Sequence, residues 1–235
     1  EGLEIGVSTS EIAISSDFRG ADLVVFGALT NADDLLLAIG QYDVIVTLVG
    51  PRDFATVRRK ERVLGIWINT ESITFDEVPQ SYSIASTRVL EGNGDHLLPI
   101  NNIGVGIEHL ALNPAGYLRD IDRLSEFRDA FRRLKLGSGL YQHETSGVRF
   151  VASSLFRASL RLPTDVPDGV HMVRAYLFKG GNLVTRRELP LRVVKTGLEQ
   201  AITDAAHEQP LAYGFLCVVL AVFTGWGASL LFRKG

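Results

Sequence analysis

The chain has 235 residues, with 24 Lys and Arg against 27 Asp and Glu and a net charge of −3. That balance argues against nucleic acid as a partner, since such binding needs a cationic surface. A single cysteine, Cys217, excludes an intrachain disulfide, so the folded part rests on its apolar core alone, for which about 200 residues suffice.

The first stretch reads as β-structure. Leu3, Ile5 and Val7 alternate with Glu4, Gly6 and Ser8, and Ile12 and Ile14 flank Ala13. Ser15 to Gly20 carries turn residues before the apolar run Leu23 to Phe26. Asp43–Val49 is expected as a strand ended by Gly50-Pro51, and Arg62–Ile68 and Tyr82–Val89 as two more. Glu91–Gly106 is rich in Gly and Asn and reads as a loop. Pro114–Leu136 has helical spacing, with Tyr117, Leu118, Ile121, Leu124, Phe127, Phe131 and Leu134 on one face. Its other face alternates in charge, acids leading and bases trailing as the helix dipole prefers. Strands return at Val148–Val151, Phe156–Leu162, Met172–Phe178 and Leu189–Val194, with turns at Val166–Gly169 and Lys179–Asn182. Short strands at such intervals predict a mainly β fold, an immunoglobulin-like β-sandwich over 1–195 with a helical insertion near 91–140.

Residues 196–210 then form a juxtamembrane segment. Leu198–Ala206 reads either as a short helix in the headgroup layer or as a linker. Leu211–Phe232 runs 22 residues without a charge. As a helix it would measure about 33 Å, enough for a hydrocarbon core of about 30 Å. Arg233 and Lys234 follow it, whereas Glu199, Asp204 and Glu208 precede it. Basic residues stay on the cytoplasmic side, so 233–235 is expected as a cytoplasmic tail and the N-terminal domain outside. The opening at Glu1 reads as a mature N-terminus left by signal-peptide removal. Within the span, Cys217, Ala221, Gly225 and Ser229 recur every four residues, a small-residue face suited to a partner helix, and Trp226 lies beside it.

Few motifs carry chemistry. Arg58, Arg59, Lys60 and Arg62 form a basic run that suits an anion or an acidic partner, or else protects a solvated edge strand from pairing. Phe75, Trp67 and Tyr82 read as core aromatics. The five histidines, His96, His109, His143, His171 and His207, lack metal-ligand spacing, and His143-Glu144 is an adjacent His–acid pair. There is no Gly-x-Ser-x-Gly elbow and no phosphate-binding Gly loop. No catalytic residue, metal or cofactor is expected.

The stretches Tyr42–Val46, Gly50-Pro51, Val57–Arg62, Gly65–Asn69 and Tyr82–Arg88, with Val7-Ser8-Thr9, Ile12–Ile14, Phe18-Arg19-Gly20 and Phe26-Gly27, resemble an alphaproteobacterial family of transmembrane proteins, Alph_Pro_TM. The likeness covers nearly the whole chain. It implies a single-pass protein of the bacterial inner membrane with a periplasmic N-terminal domain. The company of sulfite-exporter-like permeases that members keep points toward transport. The resemblance transfers no catalytic residue. The expectation is a non-enzymatic accessory or assembly subunit whose partners are the lipid bilayer and integral membrane subunits, a transporter among them. The alternative is a membrane-anchored periplasmic module that binds or senses an anion.

Overall fold

The computed structural model describes residues 1–88, 104–116, 123–144, 146–197, 214 and 217–226. By internal contacts the chain divides into residues 1–12 with 18–194, and residues 13–17 with 195–235. In chain order the strands are β1 (Gly2–Val7), β2 (Glu11–Ile14), β3 (Ala21–Thr30), β4 (Tyr42–Val49), β5 (Arg52–Val63), β6 (Ile66–Pro79), β7 (Tyr82–Ser86), β8 (Asn113–Pro114), β9 (Tyr141–Glu144), β10 (Val148–Phe150), β11 (Leu155–Leu162), β12 (Gly169–Lys179) and β13 (Asn182–Lys195). Within the first unit lie the α-helices α1 (Asp34–Ala38) and α2 (Leu124–Gly137). The fold is mainly β.

Among the described residues three sheets form, in the orders β1-β3-β11-β10, β2-β13-β12-β4-β7-β9 and β5-β6-β8. All eight residues of β4, YDVIVTLV, are buried. A strand with so little polarity suits a position covered on both faces. Ile45 and Val49 join one core with Val57, Ile73, Phe75, Tyr82, Ile84, Phe127, Phe131 and Tyr141. The opposite parity, Val44, Val46 and Leu48, is also buried. On that side β11 alternates exposed and buried, sending Phe156, Ala158, Leu160 and Leu162 inward. Ser83 Oγ of β7 donates to the Arg161 carbonyl of β11 at 3.2 Å and ties the two sheets.

The closing hairpin forms as its turn predicts. β12 and β13 pair from Gly169↔Val193 to Lys179↔Asn182, and Gly180 and Gly181 take the positive φ of 54° and 83° that the two-residue turn requires.

The helical region differs from the sequence expectation. Asn113 and Pro114 are extended and pair with Asp76 and Phe75 of β6. The described helix begins only after Arg123, its N-cap, and residues 117–122 of the expected helix lie outside the described residues, as does most of the 91–106 loop. α2 buries Phe127 and Phe131, with Leu124 and Ala130 packed at the rim. Leu134 is exposed although it shares that face. Lys135 closes the core at that end: its Nζ stands 5.8 Å from the Phe131 and Tyr141 ring centroids and donates to the Gln80 carbonyl at 2.9 Å. Burial lowers its pKa.

β9, absent from the sequence reading, explains the helix. It runs parallel to β7, from Tyr82↔Tyr141 to Ala85↔Glu144. Parallel neighbours cannot be joined by a tight turn, so the chain must cross over, and α2 lies within that crossover. The short helix α1, capped by Asp33 Oδ1 accepting from the Leu35 and Leu36 amides, was likewise not expected.

Two polar clusters sit in the body. Asp43 is buried on β4 and accepts from Thr87 Oγ1 at 2.8 Å and Arg88 Nε at 2.6 Å, with Arg88 Nη2 on its second oxygen. This fork raises the Arg88 pKa. His171 is fully buried, with Ser81 Oγ 3.3 Å from Nε2 and the Gly169 carbonyl 3.4 Å from Nδ1. Burial holds its pKa below the ordinary imidazole value, opposed by the Gly169 bond.

Removing Arg88 strands a buried carboxylate. The cost of breaking a fully buried pair is about 3–5 kcal/mol. The Arg88 side chain is 39% exposed, so Arg88→Ala should cost less, about 2–3 kcal/mol in denaturant unfolding. The Asp43→Asn/Arg88→Ala double variant should cost less than the sum of its singles; additive losses would show that the pair is not coupled. For His171, the folded chain takes up its proton later than the unfolded chain on acidification. Its contribution is therefore complete above about pH 6.5 and is lost as pH falls from there toward the folded pKa. The thermal midpoint should drop across that window, and His171→Gln should flatten the slope. An unchanged slope would assign the acid loss to other groups.

Candidate functional site

Arg58–Arg62 belongs to a long hairpin. β5 and β6 pair from Arg52↔Pro79 to Val63↔Ile66, with irregularities at Asp53/Ala55 and Arg59/Lys60. The reading of Arg62–Ile68 as one strand is corrected: Leu64 and Gly65, with φ of 50° and 86°, reverse the chain in its middle. A two-residue turn with both φ positive matches the twist of a hairpin, and Gly65 meets that demand without strain. Leu64 is an unusual partner there, which hid the turn.

The base of the hairpin is anchored. Val57, Ile73 and Phe75 enter the core beside Phe131, whose ring meets that of Phe75 edge-on at 5.7 Å. Above Val57 and below Ile73 the anchoring ends. Every residue from 58 to 70 is exposed. The six residue steps from Arg58 to Leu64 make a two-stranded arm of about 20 Å. Its apex is apolar: Leu64 is 99% exposed, Ile66 68% and Trp67 66%, with Val63 and Ile68 also exposed. Trp67 is thus not core, whereas Phe75 and Tyr82 are. Tyr82 accepts from the Gly106 amide at 3.1 Å, and burial pushes its pKa up to about 12. Directly opposed residues share a face, so Arg62 stands beside Trp67 and Lys60 beside Asn69, while Glu61 stands with Ile68 on the other.

The four basic residues divide. Arg58 and Arg59 line an open depression of about 210 Å³ with Glu126, Phe127, Ala130 and Arg133 of α2. Arg59 contacts Glu61 at 3.1 Å and Glu126 at 3.8 Å. Arg123 of α2 pairs with Glu71 of β6. Arg133 is the residue the sequence reading missed: it looked like one charge on a solvated helix face, and only the seating of α2 against β5 brings it to the basic run. Lys60 and Arg62 lie farther out on the arm, where Arg62 Nε donates to the Gly65 carbonyl at 3.3 Å across the turn.

In the second unit, residues 217–226 are helical. Cys217, Ala221 and Gly225 fall one turn apart and are exposed, and a side chain added at Gly225 would meet nothing within 4 Å. Val218, Val222 and Trp226 form the adjacent row, 62%, 64% and 63% exposed. Ser229, the segment 198–206, and Arg233 and Lys234 lie outside the described residues. Among the described residues no helix is long and apolar enough to cross a membrane.

The histidines do not converge. His143 and Glu144 lie on β9, His171 is packed on β12 and His109 ends a short 3-10 turn; His96 and His207 lie outside the described residues. No group of three or more His, Cys, Asp or Glu among the described residues is arranged to hold a metal. No curated protein matches the chain. The family model described as "Putative transmembrane protein (Alph_Pro_TM)" matches residues 2–234. With that match spanning nearly every residue, from β1 through the apolar C-terminal run, the chain belongs to the Alph_Pro_TM family of transmembrane proteins.

Proposed function

We propose that the protein is a non-enzymatic, single-pass subunit of the bacterial inner membrane. Its β-rich body, read as an immunoglobulin-like sandwich, faces the periplasm and supports an integral membrane complex such as a transporter. One observation carries the reading: the helix at 217–226 exposes Val218, Leu220, Val222, Phe223 and Trp226, each more than half. A helix apolar all round belongs in lipid or inside other protein. Residues 217–226 sit inside the uncharged run 211–232, which would measure about 33 Å as a helix and so match a bilayer core. Arg233 and Lys234 favour the cytoplasm for its far end.

The accessory role draws on the row Cys217, Ala221 and Gly225. Helices in lipid lack a hydrophobic drive toward each other, so close approach over small residues is what holds them. The body adds three sheets around an apolar core and no converging catalytic groups among its described residues, which suits a scaffold. Purified in mild detergent, the full chain should bring a stoichiometric integral membrane companion, identified by mass spectrometry. Ala221→Leu with Gly225→Leu should release that companion while the chain stays in the membrane fraction. A monodisperse, companionless monomer would sink the accessory role.

The depression formed by Arg58, Arg59 and Arg133 supports a second reading, an anion-binding module. Three guanidinium groups against Glu126 and the Glu61 that pairs with Arg59 leave a net positive site. Sulfite, sulfate or phosphate should then raise the thermal midpoint, by about 2.7 kcal/mol of stability at 100-fold excess over Kd. Arg133→Ala should remove that gain. Stabilisation that follows ionic strength alone would reject the site.

A further inference from the structure

The apex of the β5–β6 arm is the least explained surface in the molecule. Apolar residues on a solvated hairpin find no core to enter, and Val63, Leu64, Ile66, Trp67 and Ile68 are contiguous around one turn. Contiguous exposed apolar surface with a charged rim marks a contact site. Two features say what covers it. The rim is basic: Arg58, Arg59, Lys60 and Arg62 against Glu61 alone between residues 58 and 68. The composition is that of a bilayer interface, where Trp seats its ring among headgroups and long basic side chains extend toward phosphates while their stems lie along apolar surface. Arg62 and Trp67 are direct cross-strand neighbours on one face of the ribbon, so cation and indole are presented together.

We propose that the tip of the β5–β6 arm is a second membrane contact, in which Leu64, Ile66 and Trp67 enter the headgroup–acyl boundary of an anionic leaflet and Lys60 and Arg62 engage lipid phosphates. The contact asks little of the backbone, because the ribbon satisfies its own ladder up to Val63↔Ile66 and the turn between them reaches only the hydrated headgroup boundary. It also differs in kind from a receptor pocket: the depression at Arg58, Arg59 and Arg133 lies lower, against α2, and takes a small anion, whereas the apex offers a wedge. The contact rests on the membrane attachment proposed for residues 211–232, which holds the chain near a bilayer and makes a weak second contact effective.

The full chain carrying Trp226→Phe keeps Trp67 as its only tryptophan. Incorporated in nanodiscs of mixed phosphatidylglycerol and phosphatidylcholine, Trp67 should emit to the blue of an indole in water. It should lose most of its emission to acyl-brominated lipid and little to acrylamide. Discs of phosphatidylcholine alone should weaken both effects, and Lys60→Glu/Arg62→Glu or Leu64→Asp should abolish them. Because residues 58–70 lie outside the core, these variants should keep the parental thermal midpoint. Three results overturn the proposal: a Trp67 that stays water-like and acrylamide-quenched in anionic discs, shielding that grows only with the number of chains per disc, or shielding that appears only with a co-purified protein. Incorporation into discs reads the C-terminal segment by itself, so failure of the arm and failure of the anchor are separate outcomes.

Discussion

Burial of β4 on both faces is the constraint that organises this protein. A strand reading Tyr-Asp-Val-Ile-Val-Thr-Leu-Val has no face to give to water. One side must be met by β3 and β11 through Leu23, Val25, Phe156 and Leu160, and the other by the aromatic core around Phe75, Phe131 and Tyr141. The second cover is what forces the crossover. α2 lies on the route between β7 and its parallel neighbour β9, and its Phe127 and Phe131 belong to the core that receives Ile45 and Val49. The one charge on β4, Asp43, is held where β4 meets the end of β7, by Thr87 and Arg88. Residues that mark the family resemblance, Tyr42-Asp43 and Thr87-Arg88, thus meet in space, and what they do there is structural.

Local signals made the sheets legible. Alternation located β1 and β2, an apolar run located β3, β-rich stretches between turns located β11 and β12, and the Lys179–Asn182 turn located the closing hairpin because Gly-Gly satisfies its positive φ. The sequence misled where tertiary contacts decide. Asn113-Pro114 continues the apparent helical pattern backwards, but pairing with Phe75 and Asp76 holds it extended. β9 is a four-residue strand, Tyr-Gln-His-Glu, with too little alternation to stand out, and only its parallel pairing with β7 defines it. At Leu64-Gly65 the turn carries Leu where Asn or Asp is usual, so a hairpin read as one strand.

The candidate site followed the same division. The basic run Arg58–Arg62 was visible as composition, but its partition was not. Strand pleat and the Arg59/Lys60 irregularity decide which cations face α2 and which go out along the arm. Arg133 joins Arg58 and Arg59 at one depression through the seating of α2, about 75 residues distant in sequence, which no local pattern reports. Trp67 was assigned to the core because aromatics in sheets are usually buried. The hairpin instead carries it past the last core residues, Val57 and Ile73, into solvent.

Charge on β5 admits a purely protective explanation. β5 is the edge of its sheet, and exposed Arg and Lys prevent such edges from pairing with other chains. That accounts for Arg58, Arg59 and Lys60, but it predicts the opposite of what stands at the apex. An arm selected only to stay single would end in a short polar turn. Here Leu64 is almost wholly exposed and is flanked by Val63, Ile66 and Trp67, the residues that promote association. Cations that repel another basic arm and apolar residues that seek cover are compatible only if the cover is not a second arm of the same kind. An anionic interface meets both conditions at once, because it attracts the rim and accepts the apex. Edge protection and the proposed membrane contact then draw on one basic run, with Lys60 common to both.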